Sequence, residues 1–117
     1  MGKDIRGNGW IGVDLDGTLA HYTSWQGIQH IGEPIQPMRY KVLLAIAHGA
    51  HIKIFTARAC QAQDNRELAI KHIQDWTEKH LGMRLEVTAE KDFSCLEIWD
   101  DRAKEVIHNE GEFVTEG

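Results

Sequence analysis

Residues 11–19 read IGVDLDGTL. The first residues, with Trp10 before them, make an apolar run of buried-strand length, and Asp14, Asp16, Gly17 and Thr18 end it abruptly. Two carboxylates side by side at the end of a core strand repel, so the pair asks for something positive to hold. The plain alternative is a polar turn in which Gly17 supplies the bend. At usages of about 5–7% per residue type, D-x-D-G-T arises by chance in roughly one window per 10⁵, which weighs against a mere turn. A calcium-binding loop counted from Asp14 needs Gly at position 19 and Glu at position 25, where the chain has Leu19 and Trp25. That reading fails.

Outward from this strand (residues 10–15), the sequence alternates strand and helix signals. Residues 19–36 mix Gly, Pro, Ser and aromatics without a period, and read as a loop with hairpin character. Pro37 suits a first helical position, Met38, Val42, Leu43 and Ile46 give an apolar stripe, and Gly49 stops the helix. Residues 51–56 form a second strand ending at Thr56. Asp64 is expected to cap a long helix through Leu81, with Leu68, Ile73, Trp76 and His80 or Leu81 on its inner face and Gly82 at its end. A weak third strand follows around residues 85–87. A fourth, CLEIWDD, ends in Asp100 and Asp101. Residues 102–109 read as a short helix and 112–116 as an edge strand. Strands alternating with helices imply an α/β fold with parallel pairing and right-handed crossovers. Ligands of open parallel sheets bind at the carboxyl ends of the strands, so Asp14, Asp16, Thr56, Asp100 and Asp101 should converge on one crevice.

The 117 residues make one domain, with no repeat or linker. A net charge of −5 gives no general attraction to nucleic acid or to an anionic membrane, although it leaves room for a local basic patch. No apolar stretch approaches the roughly 18 residues of a membrane span, and the N-terminus lacks an apolar signal core. Cys60 and Cys95 lack metal-type spacing and read as core or half-buried thiols of a reduced, cytoplasmic protein. The seven histidines show no ligand spacing, so no zinc site is expected. Four carboxylates in one crevice need a cation, and an all-oxygen donor set favours Mg²⁺.

DLDGTL after an apolar strand resembles the first motif of the haloacid dehalogenase superfamily, in the form typical of its phosphatases. IFTAR resembles the second motif, IWDDRA the acidic fourth motif, and Lys91 of AEKDF is the best candidate for the third. The likeness spans about residues 10–108 and is closest to small stand-alone hydrolases of bacteria and phages. It implies a Rossmann-like three-layer sandwich with a mainly parallel sheet, in a minimal capless form over residues 1–117. Only the loop at 19–36, bearing His21, Tyr22, Trp25 and His30, would act as a flap over the site. The resemblance implies a Mg²⁺-dependent phosphomonoester hydrolase in which Asp14 attacks phosphorus and Asp16 is the acid and base. Thr56 would bond a phosphoryl oxygen, and Lys91 would balance charge. Gly17 and Thr18 would bring backbone N–H groups to the phosphate. The metal would be held by Asp14, the Asp16 carbonyl and Asp101, with Asp100 orienting waters or Lys91. Glu105 is expected to be an exposed helix residue. Arg58 and Arg102 flank the site as phosphate clamps or as surface residues, and Trp25 either stacks on a leaving group or packs on the domain. The substrate would be a phosphorylated small molecule, enclosed by a second subunit of a homo-oligomer, or a macromolecular end. Two other readings stay open: a phosphatase of nucleotide or polynucleotide ends, and a silent phosphate- or metal-binding regulatory module.

Overall fold

A computed structural model describes residues 9–115. In chain order it contains β1 (Trp10–Val13), α1 (Gln36–Ala47), β2 (His51–Phe55), α2 (Gln63–Leu81), β3 (Glu86–Thr88) and β4 (Cys95–Trp99), with one 3₁₀ turn at Ala57–Cys60 between β2 and α2. The strands form a single sheet in the order β3-β2-β1-β4, and every pairing is parallel. The parallel α/β expectation is therefore met.

Alternation along the strands decides which face carries the core. Ile11 pairs with Ile52 and Val13 with Ile54, so all four point the same way. They join Val42 of α1, Ile73, Trp76 and Leu81 of α2, and Leu85 in one buried cluster. Both helices thus lie on one face of the sheet. Two crossovers stepping in the same direction, β1 to β2 and β2 to β3, require this if both are right-handed.

The other face carries Trp10, Gly12, Lys53 and Phe55. Because β3 and β4 lie on opposite edges, the chain after Thr88 must recross the whole sheet. Residues 89–94 do so without a helix, and Trp10 Nε1 donates to Asp92 at 2.9 Å beneath them. Phe55 meets the Trp10 ring edge-on at 6.3 Å, and Lys53 Nζ lies 4.6 Å from its centroid. The expected third layer is consequently reduced to one crossing segment, and among the described residues no helix covers this face.

Further expectations need correction at the chain's other local features. Residues 102–109 form no helix. Ile107 N–H donates to Glu112 and Val114 N–H to Glu105, and a single antiparallel bridge joins Val106 to Phe113. The anticipated edge strand is thus one arm of a small exposed hairpin, separate from the sheet. Ala62, not Asp64, occupies the N-cap of α2 and makes no side-chain cap; Asp64 sits in the first turn, where its charge complements the helix dipole. Leu68 is 45% exposed, because it lies about 140° around the helix from Ile73, away from the inner face that Ala69, Ile73 and Thr77 form. Strand β1 ends at Val13, which leaves Asp14 as the first residue beyond it. Among the described residues no helix is long and apolar enough to cross a membrane.

Helix α2 also fixes its surroundings by hydrogen bonds. Trp76 Nε1 donates to the carbonyl of Gly32, Thr77 Oγ1 accepts from Leu85 N–H at 3.1 Å and donates to Gln74 O, and Arg39 donates to His80 O. Thr77 is fully buried, so its removal would leave the Leu85 N–H without a partner in the core. Thr77→Val should lower unfolding free energy by about 1–3 kcal/mol in urea melts, whereas Leu68→Ala should change it by less than about 0.5 kcal/mol.

Candidate metal centre and cleft

The parallel sheet aims every strand's carboxyl end at one edge, and a cleft of about 930 Å³ opens there. Its lining includes Asp14, Asp16 and Gly17 after β1, Thr56 and Arg58 after β2, Ala89 after β3, and Asp100, Asp101 and Arg102 after β4. Tyr22 and Trp25 of the flap form one wall. Four strand ends that are far apart in sequence thus share one crevice.

Three carboxylates meet at its floor. Asp14, Asp100 and Asp101 each offer an oxygen, and these oxygens lie within 4.8 Å of one another. Backbone pairing sets the first contact, since Asp14 N–H donates to Trp99 O at 2.9 Å and thereby draws the start of the β4 exit to β1. Thr18 sets the second. Its hydroxyl lies 3.3 Å from Asp14 Oδ2 and 3.1 Å from Asp101 Oδ1, and donates to one at a time; it also accepts from Asp101 N–H at 3.0 Å. Thr18 is buried under the carboxylates and is not part of the cleft wall, so its hydroxyl ties two acids together. Gly17, at φ +89°, turns the chain beneath them; a Cβ there would stand 3.0 Å from Asp101 Oδ2, in a backbone conformation that side chains rarely adopt.

This crowding has an electrostatic consequence. Burial, the charge of Asp100 and, less strongly, that of Asp101 push the Asp14 carboxyl up to about 7, against the hydrogen bond from Thr18. The donor set is all oxygen, as a hard divalent cation requires, and the charge it would neutralise is one the protein itself destabilises. Asp14, Asp100 and Asp101 therefore fit a Mg²⁺-type ion. The Asp16 carboxylate does not belong to this cluster. It faces Arg58, which donates from Nε to Oδ2 and from Nη2 to Oδ1, both at 2.8 Å.

The remaining sequence-derived site residues fall into place unequally. Thr56 is buried on the cleft floor, where its oxygen accepts from Arg58 N–H and caps the 3₁₀ turn. Arg58, read as a phosphate clamp or a surface residue, is 5% exposed and is paired with Asp16. Arg102 lines the cleft and is exposed. Trp25 is 51% exposed, with its ring 4.8 Å from the Arg58 guanidinium carbon. Lys91 lies exposed on the crossing segment, two residues beyond Ala89, and does not line the cleft. Glu105 is exposed too, on the hairpin instead of a helix. Cys60, expected in or near the core, is exposed on the cleft wall, while Cys95 is half-buried.

The flap is anchored at its base. Ala20 bridges Pro34, His21 N–H donates to Glu33 O, and Ile35 N–H donates to Leu19 O. Gly32 lets the two arms touch, because a Cβ there would fall 2.1 Å from the carbonyl oxygen of His21.

The raised Asp14 carboxyl makes metal-free stability pH-dependent. A group whose acidity is weakened by folding contributes stability below its unfolded value near 3.8, and that contribution is lost as pH rises through about 7. In the presence of EDTA, Asp14→Asn should melt at about the same temperature as the wild type near pH 4 and above it at pH 8. The gap should open progressively between those values in calorimetric scans, and a gap independent of pH would contradict the assigned cause.

Comparisons of the chain with protein-family models, with curated proteins and with solved structures found no match.

Proposed function

We propose that this protein is a Mg²⁺-dependent phosphomonoester hydrolase that works through an aspartyl-phosphate on Asp14. The observation that carries the reading is the meeting of Asp14, Asp100 and Asp101 within 4.8 Å at the carboxyl edge of a parallel sheet, with Asp16 on the wall of the same cleft. Binding a cation needs the first three. It does not need Asp16, which lies outside the cluster, lines the same cleft and is held there by Arg58; a second carboxylate beside the nucleophile is what proton transfer in turnover requires.

In the first step an Asp14 oxygen attacks phosphorus, and the bond from phosphorus to the ester oxygen breaks. The departing oxygen takes a proton from Asp16, which would have to enter this step protonated on a lone pair that Arg58 does not use. In the second, water attacks the phosphorus of the aspartyl-phosphate and gives its proton to Asp16, and the Asp14 carboxylate leaves, which restores both side chains. Bound Mg²⁺ would supply positive charge to Asp14 and to the phosphoryl oxygens as their negative charge grows. Thr18 keeps Asp14 and Asp101 in register throughout. Thr56, on the floor, would bond a phosphoryl oxygen with its hydroxyl proton, since its oxygen already accepts from Arg58 N–H. Arg102 adds an exposed cation at the mouth. Lys91, away from the cleft, is given no part in these steps.

Tyr22 and Trp25 present half-exposed rings on the cleft wall, which favours an ester whose leaving group is flat, such as an aryl group or a base. The open cleft admits a bound small molecule or the end of a longer chain.

With p-nitrophenyl phosphate and Mg²⁺ the wild type should release phosphate, and Asp14→Asn should release essentially none while keeping its circular dichroism. Mg²⁺ should raise the melting temperature because it binds only the folded state. Asp101→Ala should abolish most of that shift, and Glu105→Ala should retain it. Wild-type turnover by Asp14→Asn, with deamidation excluded by mass spectrometry, would overturn the reading.

A further inference from the structure

Arg58 is charged, 5% exposed, and surrounded by partners from other parts of the chain. Its Nε and Nη2 close on the two oxygens of Asp16 at 2.8 Å each. Nη2 also donates to the carbonyl of His30 at 3.0 Å, and Nη1 lies 3.4 Å from the carbonyl of Ile28. The Trp25 ring covers the guanidinium at 4.8 Å. One side chain, set by the 3₁₀ turn after β2, thus holds the turn after β1 and the tip of the flap together.

A phosphate clamp would leave its fork open toward the cleft floor. Here the fork is closed. A planar guanidinium that meets a carboxylate through two parallel bonds fixes the plane of that carboxylate as no single-point cation can. Each Asp16 oxygen has more than one acceptor site, so the pair uses one side of the carboxylate and leaves the other toward the cleft, which Asp16 lines. The same guanidinium supplies hydrogen-bond donors for two flap carbonyls, so the flap tip and the Asp16 carboxylate share a single support.

We infer that Arg58 is a positioning residue, which orients the Asp16 carboxylate toward the leaving group and makes that orientation depend on the docked flap. The catalytic half of this inference rests on the proposed hydrolase reading; the mechanical half, the tie between Arg58 and the flap, does not. A substrate that fits under Tyr22 and Trp25 with the flap docked finds Asp16 aligned, and one that dislodges the flap disturbs its own proton donor.

The experiment measures Arg58→Met, Arg58→Lys, Asp16→Asn and the double variant Asp16→Asn/Arg58→Met, with Mg²⁺ present. The quantity is kcat/KM, which reports the first phosphoryl transfer, on p-nitrophenyl phosphate and on an alkyl phosphate. Alkoxide departure needs the proton and nitrophenolate departure does not, so Arg58→Met should lose about ten-fold or more on the alkyl ester and less than about three-fold on the aryl one. In the Asp16→Asn background the same substitution should add no further difference between the two esters. Arg58→Lys keeps the charge and the stem, loses the fork, and should resemble Arg58→Met in sign. Inhibition by inorganic phosphate should be unchanged. Equal losses on both esters together with weakened phosphate inhibition would make Arg58 a phosphate clamp and overturn the inference while leaving the hydrolase reading standing.

Hydrogen exchange decides the tie whether or not the protein turns over any ester. Amides of residues 26–31 should exchange faster in Arg58→Met and Arg58→Lys, with those of residues 69–77 in α2 unchanged. Unaltered exchange at 26–31 in both variants overturns the tie. An inactive wild type with faster flap exchange upholds the tie and condemns only the hydrolase reading and the catalytic half built on it.

Discussion

A parallel sheet has its strands' carboxyl ends on one edge, and here that edge is loaded with acid. Asp14 leaves β1 and Asp100 and Asp101 leave β4, and the two strands are neighbours in the sheet. The pairing of those strands brings their ends, and with them the three carboxylates, side by side. Thr18 makes the approach closer still by bonding to both sides at once. The fold thus gathers unfavourable electrostatics at one point, and burial together with the neighbouring carboxylates weakens the acidity of Asp14 there. Such a point is stable with a proton or with a cation.

The second organising interaction is the Asp16–Arg58 pair, and it separates two aspartates that the motif places one residue apart. The chain leaves the strand and turns at Leu15, between Asp14 and Asp16, so their side chains diverge. One joins the acidic cluster and the other an almost buried guanidinium. Equivalent carboxylates in sequence thus face opposite fields: negative neighbours around Asp14, a positive one against Asp16. Different chemical roles for two like residues follow from their surroundings rather than their type.

How much of this was legible in the sequence depends on the range of the interactions concerned. Residues 10–19 carry their strand, their turn and their acids in contiguous letters, and the periodic residues Val42, Ile73 and Trp76 report directly on burial. The convergence of Asp14, Thr56 and Asp101 followed from one rule about parallel sheets, without any knowledge of strand order. The Arg58 pair was hidden, because its partner lies 42 positions away and an arginine after a strand looks the same whether it clamps a ligand or a neighbour. Helix signals failed where tertiary context outweighed them: residues 102–109 have helix-forming letters but no sheet face to pack on, and Asn109 and Gly111 at positive φ favour a hairpin turn instead. Leu68 is apolar but five residues before Ile73, about 140° around the helix, so it falls outside the buried stripe. Lys91 was singled out only by its place in a family pattern, and the short crossing of residues 89–94 sets its course.

That short crossing also bears on the access to the site. Because residues 89–94 traverse the sheet without a helix, they carry little mass above the strand ends, and on that side the cleft is bounded by Ala89 and the β4 exit. The opposite wall is the flap, whose arms are pinned by Gly32 and Trp76 at the base and by Arg58 at the tip. The cleft is thus asymmetric: one wall is short, and the other is aromatic and pinned at both its base and its tip. The flap wall and the Asp16 carboxylate thus share one support, the Arg58 guanidinium.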